Sequence, residues 1–411
     1  MKSIKELIPG KFIIFSASLL IAIFIVENIN HRFWLNDFKV YYGAVQAFID
    51  RTPVYNTLYS LGSGFYKYSP FTILLVLPVC LLPYKIAAII QYCLLSVSII
   101  SVFLVCGYII NKYLFPGRIK KQSLLLSIAF ICVINHLVRE LHLGNINVIL
   151  LLLLCLSLLF NLQSKYILSG ILLAIVIITK PFFALLLLPL LLRTNYKTVF
   201  SFSISILLFV LAPALLIGLT ANIRLHAEWV QTLLSHNSSF PSNNTIESLV
   251  KIYINSDIPS IFQFFIMIAA CIGYLIFFFN NRSEEKKEPR NVDLKYRNFI
   301  IEWFALIAMM PSLFRTDTQH FLLALPFVMI LMVYVSLSKK YLLIIFFINI
   351  VLMYGGNSSD MIGKNMSVRF NDAGILGMSN LVIIFSVIFI YIKSLRKKNE
   401  FEIKDEKVEL R

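Results

Sequence analysis

Apolar stretches nearly free of charge follow one another along the whole chain, and each must find non-aqueous surroundings. The longest covers residues 85–110, where Lys85 is the one charged residue. A membrane helix needs about 20 apolar residues. With 59% of 411 residues hydrophobic, the chain holds material for about twelve crossings and little else. Only 14% of residues are charged, against about 25% in soluble domains. A soluble enzyme, a disordered chain and a collagen-like fibre are excluded. Outer-membrane barrels are excluded too, because their strands alternate with a period of two. The expected class is an all-α polytopic membrane protein.

The net charge of +16 does not point to nucleic acid. The basic residues sit in short loops between apolar runs, where the positive-inside rule places topology signals. Cys80, Cys93, Cys106, Cys132, Cys155 and Cys271 lie in apolar segments without CxxC or CxxH spacing. They read as packing residues rather than a disulfide framework or a zinc site.

Crossings are expected near 12–26, 85–110, 122–138, 146–162, 166–179, 181–193, 198–219, 258–280, 298–313, 320–338, 341–356 and 376–392, with both termini cytoplasmic. The segment 70–83 has 14 residues, about 21 Å of helix, too short for a hydrocarbon core of about 30 Å. It reads as an interfacial segment on the outer leaflet. Counting it as a crossing would export most of the 37 Lys and Arg residues, against the positive-inside rule. Residues 166–193 read as two short helices split at Lys180-Pro181, with one kinked helix as the alternative. The expected organisation is a single membrane domain over 1–392 with a charged cytoplasmic tail at 393–411. Its extracytoplasmic segments are a long first loop (27–83), a second large loop (220–257) and a third at 357–375. The charged stretch 282–297 reads as a cytoplasmic loop.

Polar residues collect at helix ends on the side given to these loops, and ionisable groups at membrane depth are costly and usually functional. Phe38, Tyr41, Val45 and Phe48 share a helical face, with Lys39 and Asp50 on another, which predicts an amphipathic helix. Asp37 falls at its expected N-cap. It is either a helix cap or a carboxylate at the outer leaflet, able to act as general base toward a hydroxyl.

Asp37-Phe38-x-x-Tyr41-Tyr42, then Tyr55, then Tyr68-Ser69-Pro70-Phe71 resembles the start of the polyprenol-phosphate-dependent glycosyltransferases of family 87, in the C-type glycosyltransferase superfamily. Tyr-Ser-Pro stands where Tyr-Pro-Pro is more usual. His142 to Asn147 resembles the family's Gly-Gln-x-Asn element, with Asn145 in place of Gln. Gly170 followed by Lys180-Pro181, Asn244 to Leu249, and Pro311-Ser312 followed by His320 resemble further family elements. The resemblance covers roughly residues 30 to 330 and implies a C-type glycosyltransferase fold. It also implies attack of an acceptor hydroxyl on a polyprenyl-phosphate-linked sugar, typically mannose, with inversion at the anomeric carbon.

An inverting transfer needs a base at the acceptor, which would be Asp37, and cations on the departing phosphate. Lys180, Arg139 and Arg315 are the available cations, with His320 as a further donor. Lys180 could instead snorkel from a helix end, Arg139 could pair with Glu140, and Arg315 with Asp317. His142, Asn145, Asn147, Asn244 and Asp317 offer donors and acceptors suited to sugar hydroxyls, although Asn147 could equally cap a helix. Tyr41, Tyr42, Tyr55 and Tyr68 either line a sugar site or form an interfacial aromatic belt.

The partners so implied are the lipid-linked sugar, a glycan or glycolipid acceptor and membrane lipids. No cofactor is expected. The pairs His226-x-Glu228 and Asp317-x-x-His320 lack a third metal ligand of fitting spacing, and there is no GxxxxGK[ST] or GxGxxG element. The expected place is the plasma (inner) membrane, with the site facing outward. The alternatives are a flippase or transporter, which typically keeps ionisable groups near the midplane, and a polymerase or ligase of lipid-linked glycans.

Overall fold

The computed structural model describes residues 9–395 apart from 62–63, 240–241, 255–258, 260 and 339. Lys2 and Lys5, parts of the 220–257 loop and the tail beyond Leu395 therefore lie outside the described residues. The chain forms two compact units. The first takes residues up to Cys106, Leu126–Ser242 and Arg315–Leu323; the second takes Gly107–Leu125, Asn243–Phe314 and the chain from Ala324 onward.

The first unit opens with α1 (Gly10–Ile29) and α2 (Asn36–Ile49). A small antiparallel hairpin follows, β1 (Leu58–Ser60) with β2 (Gly64–Phe65). It is the one departure from an all-helical chain among the described residues. Next come α3 (Pro70–Cys80), α4 (Tyr84–Ile109), α5 (Gln122–Cys132), α6 (Ile134–Leu143), α7 (Asn147–Leu162) and α8 (Tyr166–Thr179). After a 3-10 turn at Pro181–Leu186 the unit is completed by α9 (Leu187–Leu192), α10 (Tyr196–Leu211), α11 (Ala214–Ile217) and α12 (Leu219–Ser239). The second unit holds α13 (Ile246–Tyr253), α14 (Phe262–Lys287), α15 (Val292–Leu313), α16 (Leu325–Ser338), α17 (Tyr341–Gly355), α18 (Ser359–Ile362), α19 (Lys364–Asp372) and α20 (Ile375–Ile390).

This is an all-α membrane protein in architecture. Among the described residues six helical stretches are long and apolar enough to cross a bilayer: Gly10–Ile29, Tyr84–Leu114, Tyr196–Ile217, Phe262–Lys287, Thr318–Ser338 and Ile375–Lys393. α5 and α6, bent by 65° at their junction, make a seventh if counted together. Asn147–Leu162, Tyr166–Thr179, Pro181–Leu192 and Tyr341–Gly355 are apolar but shorter. Not all the apolar runs in the sequence become full-length helices. A 14-residue helix such as α8 rises about 21 Å.

The short segments take definite form. The segment 70–83 contains a helix of 11 residues, capped by the Ser69 hydroxyl on the Thr72 N–H and followed by Pro83. The charged stretch 282–297 is not a loop, because α14 runs on to Lys287 and α15 begins at Val292. Salt bridges at helical spacing, Arg282–Glu285 at 2.9 Å and Lys287–Glu284 at 2.9 Å, make that extension favourable. Parts of 220–257 and 357–375 are likewise helical, in α12, α13, α18 and α19.

Candidate active site

The amphipathic helix at 36–49 forms as its spacing requires, with Phe38, Tyr41, Val45 and Phe48 buried and Lys39 exposed. Asp37 is not its N-cap. The cap is Leu35, held in the left-handed region at φ 45, and Asp37 lies in the first turn. Its carboxylate is therefore not consumed by capping, and the helix end favours its negative form.

α6 ends against this turn at Gly144, which adopts φ 68. A Cβ here would come within 2.9 Å of Phe38 Cβ, so glycine serves both the left-handed backbone and the close approach. The chain then swings Asn145 onto Asp37. The Asn145 amide donates to Asp37 Oδ2 at 2.5 Å and accepts from the Ile146 N–H at 2.7 Å. Among the described residues Asp37 Oδ1 accepts no hydrogen bond, and Asp37 is only partly buried.

A second chain of contacts starts at Glu140, which is fully buried. Its carboxylate accepts from the Val148 N–H at 2.9 Å and from the Asn147 amide at 3.1 Å, which supplies the start of α7 with an acceptor. The Asn147 oxygen accepts from Lys180 Nζ at 2.5 Å. Lys180 Nζ also lies 2.7 Å from His320 Nε2, while His320 Nδ1 lies 3.2 Å from the Asp317 carbonyl oxygen. A charged Lys180 donates to Nε2, and the histidine then carries its proton on Nδ1, where the carbonyl accepts it.

Lys180 is placed by a break in the helix. A residue before proline avoids the helical region, and Lys180 is extended at φ −134, ψ 97 between α8 and Pro181. The two-piece reading of 166–193 holds at this point. Thr72 Oγ1 donates to Thr179 Oγ1 at 3.3 Å, fixing α3 to the end of α8. The Lys180 ammonium lies 5.6 Å from the centre of the Tyr68 ring. Tyr68 and Tyr41 hydroxyls are 3.0 Å apart, and the Tyr55 hydroxyl donates to the Tyr68 carbonyl at 2.8 Å.

Burial raises the Asp37 pKa above the ordinary carboxylate value. The Asn145 hydrogen bond opposes the rise, the Asp317 charge adds to it, and Lys180 and Lys67 oppose it. Lys67 is itself shifted down by burial, with Asp317 and Asp37 pulling it back up. Burial likewise holds the Tyr68 hydroxyl well above its usual range, so it stays protonated and can donate. The unit thus gathers a half-open carboxylate, two ammonium groups and the exposed carboxylate of Asp317.

Asp37, Tyr41, Asn145, Asn147, Lys180, Asp317 and His320 come together as one neighbourhood. His142 does not join it: its Nδ1 is 2.8 Å from Glu27 Oε2, and its ring packs 5.5 Å from Trp34. Tyr42 donates to the Leu82 carbonyl at 3.0 Å and packs edge-on against Tyr84. Arg139 is exposed on α6, whereas Glu140 turns inward, since successive helical residues face different ways. Arg315 is partly buried two residues from Asp317. Asn244 belongs to the second unit, where its side chain accepts the Gly377 N–H at 3.1 Å. Asn147 does not cap α7 with its own side chain; it bridges Glu140 and Lys180 instead.

Glu140 and Lys67 were missed as members of the site. In the sequence Glu140 reads only as a partner for Arg139. The available signal for Lys67 was its position beside Tyr68-Ser69-Pro70.

A helical chain with several stretches apolar and long enough to cross a bilayer fits a multi-pass membrane protein. Comparison with known families gives the class: the model of glycosyltransferase family 87 matches residues 65–293, more than half of the chain, and the protein belongs to this family. A curated relative, an alpha-(1->3)-arabinofuranosyltransferase of Corynebacterium glutamicum, is 28% identical over 169 residues, which are 39% of this chain. The aligned part spans 40% of that relative's length.

Proposed function

We propose that this enzyme moves a glycosyl group from a polyprenyl-phosphate-linked donor to a hydroxyl of a glycan or glycolipid, at the extracytoplasmic face of the plasma membrane. The acceptor oxygen attacks the anomeric carbon from the side opposite the phosphate, and its proton passes to Asp37 Oδ1. The bond from the anomeric carbon to the phosphate oxygen breaks, and polyprenyl phosphate leaves with the electron pair. Lys180 and Lys67 meet the charge that grows on that phosphate, with Arg315 near the rim. Asn145 orients Asp37; Glu140 and His320 orient Lys180. No cofactor takes part in this scheme. The prenyl chain lies in the bilayer between helices of a C-type glycosyltransferase fold, whose shorter helices complete about twelve crossings with both termini cytoplasmic. The twofold division of the contacts lies within a single functional domain over 1–392.

The observation that carries this reading is the juxtaposition of a partly open carboxylate with Lys180, which is held by its own hydrogen-bond network, and with the charge of Lys67. The family's typical donor makes mannose the first sugar to test, and the name of the curated relative makes arabinofuranose the second. The test uses purified protein in nanodiscs, polyprenyl-phosphate donors carrying either labelled sugar, and a panel of glycoside acceptors. Label should reach an acceptor with wild type and fail to do so with Asp37→Asn. Transfer that survives in Asp37→Asn would remove the base assignment. Donor translocation across the bilayer without transfer would favour a flippase instead.

A further inference from the structure

α8 and α10 run parallel, so both begin at one end of the first unit. The Lys197 ammonium lies 5.9 Å from the centre of the Tyr166 ring, and Ser201 Oγ donates to the Ile167 carbonyl at 2.9 Å. Gly170 makes this packing possible, because a Cβ there would meet the Phe202 nitrogen at 2.7 Å. Lys180 stands beyond the opposite end of α8, 14 residues or about 21 Å along the helix.

Beside this seam runs a groove of about 750 Å³. Its walls include Phe200, Ile204 and Leu208, which are 69%, 44% and 59% exposed. They belong to the stretch Tyr196–Ile217, which is long and apolar enough to cross a membrane and is largely uncovered by the rest of the chain. Such a surface faces hydrocarbon, so what fills the groove comes from the bilayer. Its mouth carries the exposed ammonium groups of Lys165 and Lys197 together with Tyr166, and no carboxylate among the described residues lines it. Lys165 lies 5.6 Å from the centre of the Phe160 ring, so both lysines rest on aromatic rings at the same end.

We propose that this groove binds one anionic phospholipid of the membrane. The headgroup phosphate sits on Lys165 and Lys197, and an acyl chain lies along Phe200, Ile204 and Leu208. A zwitterionic lipid fills the apolar half equally well but gains less from the lysines. Two surface cations favour the anionic lipid on the order of tenfold. This site stands apart from the Lys180 cluster and does not depend on the reaction assigned to it.

The test is native mass spectrometry of the delipidated full-length protein in neutral detergent, with equimolar phosphatidylglycerol and phosphatidylcholine. Wild type should retain one phosphatidylglycerol with about tenfold preference. In Lys165→Gln/Lys197→Gln that preference should fall to near parity, with phosphatidylcholine binding unchanged. Lys165→Arg/Lys197→Arg should keep it, and Ile204→Trp, which fills the groove, should weaken retention of both lipids. Glycerol 3-phosphate, which carries the charge without the chains, should not displace the bound lipid. Equal binding of both lipids by wild type would overturn the proposal. So would an undiminished preference in the double Gln variant, loss of preference in the double Arg variant, unchanged retention in Ile204→Trp, or displacement by glycerol 3-phosphate.

Discussion

Each unit buries a polar cluster built from carboxylates, amides and a cation, and the two clusters differ in what they leave open. In the second unit Glu285 accepts from Arg282 at 2.9 Å and from Asn298 at 2.7 Å, and the Tyr391 hydroxyl donates to Asn298. Asn281 donates to Glu302 at 2.9 Å. Both carboxylates are buried, Glu285 at 2% and Glu302 at 0% exposure. In the first unit Glu140 is similarly enclosed, yet among the described residues Asp37 keeps an oxygen without a hydrogen bond and stays partly exposed. A closed network fixes helix register and specifies a packing arrangement. A network with one open carboxylate beside two lysines can exchange a proton and hold an anion. Burying similar residues does not by itself make a site; leaving a carboxylate partly open beside lysines does.

The largest expected effect tests that open group. Asp37→Asn should lower the transfer rate by about 10²–10⁴-fold while the protein remains folded. Its raised pKa means that folding penalises the ionised form: the stability Asp37 contributes is present at low pH and lost as pH rises through its folded-state pKa. Removing the charge at neutral pH should therefore not lower the thermal midpoint, and a large drop would make Asp37 a structural residue.

Lys180→Gln comes next, with an expected loss of about 10²–10³-fold in kcat, measured by single-turnover transfer. Glu140→Gln should cost less, about tenfold, because it loosens Lys180 through Asn147 without removing the cation. In the second cluster Glu285→Ala should reverse the pattern. Here the thermal midpoint falls, by an amount matching about 1–2 kcal/mol for each lost hydrogen bond, and the surviving protein keeps its kcat. Equal activity losses at Glu140 and Glu285 would erase the distinction between the clusters.

The acid limb of kcat/KM should lie above the ordinary aspartate range, since burial raises Asp37. Asp317→Asn removes a charge that raises it and should move the limb to lower pH. Asn145→Ala removes a hydrogen bond that lowers it and should move the limb to higher pH. Shifts of the opposite sign would dissociate the limb from Asp37. The smallest effect belongs to His142→Ala, about twofold or less in kcat, because its partner is Glu27 and not the cluster.

Much of the first unit's logic could be read from linear order. The periodicity at Phe38, Tyr41, Val45 and Phe48 gives the buried face of α2. Lys180-Pro181 gives the break in the helix, and the Gly144-Asn145-Ile146-Asn147 run marks the turn that reaches Asp37. Those signals are local, because backbone propensity and side-chain period act over a few residues. The extension of α14 past Arg282 was hidden by charge density, which resembles a loop in composition but supports a helix when opposite charges stand three or four apart. His142 and Asn244 looked like members of the site, and their partners were too distant in sequence to be inferred.

The sequence alone determined that the chain must be a helical membrane protein, because apolar runs of that length leave no aqueous alternative. It also determined where the helix breaks with polar residues fall, because proline and glycine act on their own backbone. The tertiary structure decided which of those polar residues meet. Glu140, Asn147, Lys180 and His320 are spread from position 140 to 320 and touch within 3.1 Å at each step. Contacts of that range are fixed by packing, where many weak contacts sum to one arrangement.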